Sequence, residues 1–386
     1  MKNLVPFLML FVLLSGCKTE NESKKKTIVE APKELEAEVH KTNVQFAEGF
    51  KVKQYEGYKK LTLKNLWPGS DKEFNFILVK DADNFKSKKK FDGIIEVPLK
   101  SIVVTSTTHI PSLEMLGVED RLVGFPNLDY ISSEKTIQRI DAGEIMELGK
   151  NEDLNTELLV ELQPDLMVTF AIDSDNSSAE RIQEIGIPVL YNGDWNETTP
   201  LGKAEWIKFF GVLMGKEKTA DSIFNRIKID YTNAKNVAGQ SESKPTVLSG
   251  AMYRDLWHLP QGGSWAAQLI ADANGEYLWN DTEGTGSSSL NVESVLEKGK
   301  NAQYWIGPGQ FTSLDQMKEA HSAYEQFDAY QNNNVYSFTN KKGANGGVLY
   351  YELAPNRPDM VLKDIGKILH PELFPDHELY FFTKIE

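Results

Sequence analysis

Short apolar runs alternate with amphipathic segments along most of this chain, and their order predicts the fold class. The runs SIVVTS, RLVGFP, DLMVTF and IPVLYN are rich in β-branched residues, as buried parallel strands usually are. Between them, NTELLVELQ and AERIQEIG carry apolar residues at helical spacing and stop at proline or glycine. This strand–helix rhythm predicts a doubly wound α/β lobe, which we place at residues 99–201.

The rhythm breaks and then resumes, which predicts a second lobe. Residues 202–240 carry apolar side chains at helical spacing, with a bend marked by Gly215, and predict one long helix joining two lobes. Residues 241–386 return to α/β alternation: PTVLSGAMY, AQYWIG and NNVYSFT as strands, and SWAAQLIADA, SLDQMKEA and a closing RPDMVLKDIGKILHPEL as helices. The two Rossmann-like lobes would present their ligand loops to one cleft.

Ahead of the first lobe the apolar pattern has a period of two. KKLTLKNLW and KEFNFILVK flank the turn signal PGSD, so residues 46–98 are expected to form a β-hairpin extension. Residues 17–45 are charged, nearly free of aromatic side chains, and typical of a solvated tether. Residues 1–16 contain Lys2 and an apolar run too short to span a bilayer, which indicates a signal peptide.

The sequence LSGC, ending at Cys17, follows that apolar run and matches the lipobox of bacterial lipoproteins, in which the cysteine is acylated. Cys17 is the single cysteine of the chain, so it has no partner for a disulfide. We therefore expect an exported lipoprotein, anchored to a membrane and facing the periplasm or the cell exterior. The alternative is an ordinary secretory signal with a chance cysteine.

Composition and motifs narrow the chemistry. The 386 residues carry 42 lysines and arginines against 56 aspartates and glutamates, a net charge of −14. That balance disfavours nucleic acid as a partner, because phosphate binding needs a basic surface. We find no G-x-S-x-G elbow, H-E-x-x-H motif or P-loop. The run GANGG at 343–347 does not open a helix after a strand and is expected to be a loop at the cleft rim. No cofactor and no metal site is predicted.

Aromatic and polar residues collect at the ends of predicted strands, which suits a bulky ligand held by stacking and a few hydrogen bonds. Arg254 is either a clamp for an anionic group or a surface ion pair, and His258 either a metal ligand or a hydrogen-bonding residue. The tryptophans are either cleft walls or core. The candidate ligand-binding residues are Thr107, His109, Tyr191, Trp195, Tyr253, Arg254, Trp257, His258 and Trp305.

Three segments resemble the substrate-binding proteins of ABC importers for iron-siderophores, haem and cobalamin: IVVTSTTHIPSLEMLGVEDRLVGF, NTELLVELQPDLMVTF and RPDMVLKDIGKILHPEL. The resemblance covers about residues 97–373. It implies two rigid lobes, a metal chelate as ligand, an ABC permease as partner and no catalysis. It also implies one permease-docking glutamate per lobe. Glu114 falls at the first-lobe position, whereas Gln268 stands at the second, with Asp272 and Glu276 as alternatives.

The sequence leaves three hypotheses for the function of the protein. The leading hypothesis is a monomeric, lipid-anchored binding protein for a metal chelate, with a siderophore or haem favoured over cobalamin. The alternative is an exported hydrolase that uses Asp173, Asp194 or Glu283 on a bulky substrate, which would require paired carboxylates. An adhesive surface lipoprotein is disfavoured because the chain shows no internal repeats.

Overall fold

In the computed structural model, an N-terminal sheet and two α/β lobes follow one another in the order that the sequence predicts. The structure describes residues 43–85, 90–173 and 177–386. The predicted signal peptide, Cys17 and nearly all of the predicted tether lie outside these residues. Within the described part, no helix is both long and apolar enough to cross a membrane.

The N-terminal extension is a four-stranded sheet. Its strands are β1 (Phe50–Tyr55), β2 (Tyr58–Lys64), β3 (Glu73–Val79) and β4 (Gly93–Glu96). β2 and β3 pair antiparallel across the PGSD turn, so the predicted hairpin is confirmed. β1 adds an antiparallel strand on one side and β4 a parallel strand on the other. The inward-facing Phe50, Leu61 and Leu63 pack into the same core as the first lobe, which makes the sheet part of that body.

The first lobe contains a five-stranded parallel sheet whose spatial order is β11-β10-β5-β6-β7. Ile102, Val103 and Val104 of β5 and Leu166, Met167 and Val168 of β10 are all apolar and buried, as is typical of the central strands of a parallel sheet. The strands are β5 (Ile102–Val104), β6 (Leu122–Phe125), β7 (Met146–Glu147), β10 (Leu166–Thr169) and β11 (Val189–Tyr191), with a small ribbon of β8 (Gly149–Lys150) and β9 (Asp153–Leu154). The helices are α1 (Ile110–Met115), α2 (Glu134–Asp141), α3 (Thr156–Leu162) and α4 (Ser177–Glu184).

Three helices, rather than one, occupy the segment predicted as a single long helix. They are α5 (Pro200–Glu205), α6 (Ile207–Met214) and α7 (Glu217–Ala238). Gly215 ends α6 with a left-handed φ of 67°, a conformation that glycine adopts without strain. α7 is the linking helix. Its side chain Phe224 lies in the core of the first lobe, and Tyr231, two turns later, lies in the core of the second.

The second lobe repeats the α/β arrangement, with the spatial order β15-β12-β17-β18-β19 and an antiparallel edge strand. Its sheet strands are β12 (Thr246–Ser249), β15 (Glu276–Tyr277), β17 (Tyr304–Ile306), β18 (Val335–Ser337) and β19 (Thr383–Lys384). A separate antiparallel sheet holds β13 (Ala251–Tyr253), β14 (Leu256–Pro260) and β16 (Ser287–Leu290). The helices are α8 (Trp265–Asp272), α9 (Val292–Gly299), α10 (Leu314–Ala320), α11 (Asp328–Gln331), α12 (Leu349–Leu353) and α13 (Pro358–Leu369).

One predicted strand of this lobe, PTVLSGAMY, is divided into β12 and β13 at Gly250. The φ of Gly250 is 82°, and a Cβ there would collide with the carbonyl oxygen of His258. Glycine is therefore required where the chain leaves the main sheet and enters the small antiparallel one.

Residues 343–356 of the second lobe press against the first lobe beside the cleft. A Cβ on Gly343 or Gly347 would collide with the backbone of the first lobe, so the GANGG run serves close approach of two chain segments. Asn356 accepts a hydrogen bond from the Ser112 hydroxyl and donates one to the Thr108 carbonyl, each at 2.8 Å. These contacts fix the lobes relative to each other at one rim of the cleft.

Candidate functional site

The two parallel sheets direct their carboxyl ends toward a cleft made of adjoining cavities. The largest, which we call the second-lobe chamber, encloses about 930 Å³ and lies beyond the ends of β12, β17 and β18. The interlobe cavity beside it encloses about 480 Å³ and includes Thr107 and Phe170 of the first lobe and Lys342 of the second. Gln310 and Tyr351 line both, so the two spaces are continuous.

A third space, the first-lobe cavity, extends the cleft away from the chamber. It encloses about 420 Å³ and shares Asn151 and Phe170 with the interlobe cavity. Its walls include the charged side chains of Glu152, Asp173 and Arg181. The cleft therefore changes from uncharged walls in the second lobe to charged ones at the far side of the first.

Aromatic rings give the second-lobe chamber a rigid apolar wall. The ring of Tyr350 stacks on Phe338, with centroids 4.2 Å apart, and on Trp265 at 6.0 Å. Burial raises the pKa of the Tyr350 phenol well above its ordinary value, so that phenol stays neutral. At the mouth, the Gln310 side-chain amide donates to the Tyr351 hydroxyl at 3.1 Å. Such a wall binds apolar or aromatic surface and orients it with a few polar groups.

A model of the periplasmic binding protein family matches residues 102–341, more than half of the chain. The chain belongs to this family. The resemblance seen in the sequence is thereby confirmed, and the two-lobed α/β fold agrees with it. Members of the family bind solutes, and the protein is accordingly a substrate-binding protein. The N-terminal sheet lies entirely before the matched residues.

Individual relatives are distant. An uncharacterised lipoprotein of Methanocaldococcus jannaschii is 27% identical over 312 residues, covering 78% of this chain and 71% of the relative. A solved structure of a possible iron-binding periplasmic solute-binding protein from Staphylococcus epidermidis has 18% identity and a TM-score of 0.53, covering 71% of this chain and 99% of that one. The periplasmic haem-binding protein of Vibrio cholerae has 16% identity and a TM-score of 0.54, covering 68% and 99%. The structural likeness shows the fold.

Four of the predicted ligand-binding residues line the cleft of this binding protein: three lie in its two main cavities, and Tyr191 lines the first-lobe cavity. Thr107 lines the interlobe cavity, and Tyr253 and His258 line the second-lobe chamber. The Nδ1 of His258 is hydrogen-bonded to the Ser289 hydroxyl at 3.1 Å, which fixes the ring. Arg254 occupies the turn between β13 and β14, where its guanidinium carbon lies 5.3 Å from the ring centroid of Tyr253. Arg254 is exposed there and does not line the described cavities.

Trp257 and Trp305 do not form cleft walls, so their assignment to the ligand surface is wrong. Both are fully buried, and their rings stack with centroids 5.1 Å apart. The indole N–H of Trp257 donates to the Ser249 carbonyl at 3.1 Å, and that of Trp305 to the Gly250 carbonyl at 2.9 Å. The two indoles thus hold the backbone of Ser249 and Gly250, where the chain leaves β12. Ser249 and Gly250 themselves line the chamber.

His109, Tyr191 and Trp195 also lie apart from the two main cavities. His109 is completely buried beside Phe210, and burial lowers its pKa to about 4, so the ring is neutral. Tyr191 is buried and reaches only the first-lobe cavity, where burial raises its pKa to about 12. Trp195 is partly exposed and donates its indole N–H to the Ala171 carbonyl at 3.1 Å.

The two residues at the permease-docking positions that the resemblance implies are both half-buried. Glu114, on α1, is half-buried, and its Oε1 accepts hydrogen bonds from the hydroxyls of Ser133 and Thr136. Gln268, on α8, is half-buried as well. Of its two alternatives, Asp272 is buried and pairs with Lys235 at 2.7 Å, whereas Glu276 is exposed.

The three carboxylates of the hydrolase hypothesis lie at different sites. Asp173 lines the first-lobe cavity, whereas Asp194 is buried and accepts a hydrogen bond from the Thr108 hydroxyl at 2.7 Å. Glu283 is exposed in the second lobe. The described cavities therefore bring no two of them together. Among the described residues, no group of three or more histidines, cysteines or acids is arranged to hold a metal ion.

Sequence reasoning missed most of the chamber wall. Phe338 directly follows β18, which is a strand-end position of the kind that the sequence analysis considered. Trp265 is the first residue of α8, so it lies outside the strand ends. Tyr350 and Tyr351 follow the glycine-rich run after Val348 and Leu349, and this pair of adjacent aromatic residues was the available signal. Gln310 has no sequence feature that sets it apart from other surface glutamines.

Proposed function

We propose that this protein, anchored to a membrane by lipid at Cys17, captures a metal chelate in the cleft and passes it to an ABC import permease. The continuous cavities of about 930 and 480 Å³ at the carboxyl ends of both sheets carry the proposal. Ligand sites usually enclose about 300–1,000 Å³, so a bulky ligand fits. Relatives named for iron and haem binding support a chelate as the cargo. A siderophore or haem is favoured over cobalamin.

Equilibrium dialysis tests the binding step. The full chain is held in lipid nanodiscs, with protein-free nanodiscs as reference, and dialysed against haem, a ferric hydroxamate siderophore and cyanocobalamin. Tyr351→Ala removes a ring that lines both main cavities and should weaken binding of the preferred chelate about tenfold. Tyr380→Ala, a similarly exposed ring outside these cavities, should leave the affinity unchanged. Failure of the wild type to bind any chelate refutes the proposal.

Membrane attachment is tested separately at the lipobox. The relative from Methanocaldococcus jannaschii is named as a lipoprotein, which supports the same anchoring for this chain. Cys17→Ser removes the sulfur that would carry the lipid and should shift the protein out of the membrane fraction or leave it unprocessed. Ser15→Ala keeps a small residue in the lipobox and serves as the control. Equal membrane retention of Cys17→Ser and the wild type would count against the anchor.

A further inference from the structure

The second-lobe chamber differs chemically from the rest of the cleft. The residues described along its walls include no aspartate, glutamate, lysine or arginine. A charged group placed there would lose its hydration without gaining an ionic partner, which is strongly unfavourable. The chamber is therefore suited to an uncharged body with apolar or aromatic surface.

The core of the second lobe forms the base of the chamber. Leu269 and Ile270 of α8 and Ile365 of α13 line it, although at most 3% of each residue is exposed. These residues belong to the core of the second lobe. The apolar part of a ligand in the chamber would thus lie over the core that α8 and α13 form.

Beyond the chamber mouth the environment becomes polar. Gln310 and Tyr351 stand at the mouth, and the interlobe cavity follows. Lys342 is the one formally charged side chain among the described residues that line this cavity, and it is exposed. A lone cation next to an uncharged chamber attracts an anionic group of the ligand and leaves its apolar remainder to the chamber.

We infer that the cargo is an amphipathic acid, whose uncharged apolar body enters the second-lobe chamber while a carboxylate or similar anionic group lies beside Lys342. The inference rests on the proposed function, in that it takes the cleft as the cargo site. It narrows the cargo to chelates with an apolar body and an acidic edge, and it disfavours hydrophilic chelates that carry charges on all sides.

Filling the chamber tests the position of the apolar body. Ala266 and Ala271 lie on the same helix, α8, but Ala266 lines the chamber whereas Ala271 is exposed outside it. Ala266→Trp should weaken binding of haem and of metal-free protoporphyrin about tenfold or more, because the indole occupies the ligand's space. Ala271→Trp should leave both affinities unchanged. The measurement is equilibrium dialysis of the full chain in nanodiscs, with melting temperatures recorded for each variant.

Charge reversal tests the position of the anionic group without disturbing the core. Lys342→Glu should weaken binding of both porphyrins about tenfold at low salt, and less at high salt, because screening reduces an exposed charge interaction. Lys244→Glu makes the same change at an exposed lysine before β12, at the opposite end of the sheet, and should have no effect. This pair keeps the inference testable even if Ala266→Trp does not fold.

The outcomes separate the inference from the proposed function. If the wild type binds the ferric siderophore and neither porphyrin, the inference is overturned and the proposed function stands. If metal-free protoporphyrin binds in the chamber but no metal chelate binds, the proposed chelate cargo is refuted, whereas the placement of an apolar body in the chamber and of its acidic group beside Lys342 stands. Equal porphyrin affinities of a folded Ala266→Trp and Ala271→Trp, or of Lys342→Glu and Lys244→Glu, overturn the inference.

Discussion

The carboxylate of Glu352 in the second lobe accepts a hydrogen bond of 2.7 Å from the backbone N–H of Ser132 in the first. It also accepts the N–H of Ser133 at 3.0 Å, directly before α2. The Ser133 hydroxyl in turn donates to Glu114. Ser133 therefore donates hydrogen bonds to the carboxylates of both Glu352 and Glu114. Burial, reinforced by the negative charge of Glu114, raises the pKa of Glu352 to about 7. The contact between the lobes therefore contains a group that titrates near neutrality.

This pKa predicts how stability depends on pH. In the unfolded chain Glu352 would titrate near 4.5, whereas in the folded protein it holds its proton up to about 7. The stability it contributes is thus fully present below pH 4.5 and is lost as the pH rises through about 7. Relative to Glu352→Gln, the wild-type free energy of unfolding should fall by about 3 kcal/mol across this range.

Urea unfolding at a series of pH values measures that difference. Glu293→Gln, which neutralises an exposed carboxylate on α9, is the control and should follow the wild type throughout. Parallel pH profiles of the wild type and Glu352→Gln would contradict the prediction.

His109 predicts the opposite pH dependence. Its ring is fully buried, and neither ring nitrogen has a hydrogen-bond partner among the described residues. Burial lowers its pKa from 6.5 to about 4, so the unfolded chain takes up a proton first on acidification. Wild-type stability relative to His109→Phe should fall by about 3 kcal/mol from pH 6.5 to pH 4. Denaturant unfolding across this range checks it, with His258→Phe, a half-buried and hydrogen-bonded histidine, as control. A constant difference would refute it.

Trp257 should contribute to the free energy of unfolding, because its ring is fully buried between Trp305 and Phe327. Trp257→Ala leaves a large cavity and should lower the free energy of unfolding by about 3–5 kcal/mol. Trp195→Ala, at a partly exposed tryptophan, should cost clearly less. Urea unfolding of the two variants measures this. A Trp257→Ala variant with wild-type stability and weakened ligand binding would instead place this side chain at the cleft.

The burial of Trp257 and Trp305, which the sequence placed at strand ends, is a feature that the sequence alone does not predict. The alternation of apolar runs and helices predicts the sheets because it depends on local spacing, and the hairpin of β2 and β3 follows from its turn residues in the same way. Whether a ring at a strand end faces solvent or core depends on what packs over it. For Trp257 that cover includes Tyr324 and Phe327, which are distant in sequence.

The segment predicted as one long helix forms α5, α6 and α7 because of contacts that are also distant in sequence. Gly215 marks the end of α6 in the sequence, but the break between α5 and α6 at Trp206 carries no glycine or proline. Trp206 packs against Phe50 of the N-terminal sheet and donates its indole N–H to Glu197 at 3.0 Å. Tertiary contacts of this kind are not visible in the local pattern, so a continuous helix was the natural prediction.

Permease docking through Glu114 requires a test that separates its charge from its hydrogen bonds. Glu114→Ala removes both the charge and the acceptor for Ser133 and Thr136, so it would disturb the lobe contact as well. Glu114→Gln keeps an oxygen acceptor and removes only the charge. If the carboxylate meets a permease arginine, Glu114→Gln should slow uptake about tenfold, because charges at the rim of an interface govern docking rate. Its chelate affinity and melting temperature should equal those of the wild type.

Gln268→Ala removes an uncharged side chain from the corresponding place in the second lobe and should change uptake little. Uptake by cells that express each variant is measured alongside dialysis of the same chelate, so that transport and binding are compared on one cargo. Wild-type uptake by Glu114→Gln would show that the charge plays no part in docking. Glu114 would then have a structural role at the contact between the lobes. Its Oε1 accepts hydrogen bonds from the hydroxyls of Ser133 and Thr136, and Ser133 also binds Glu352.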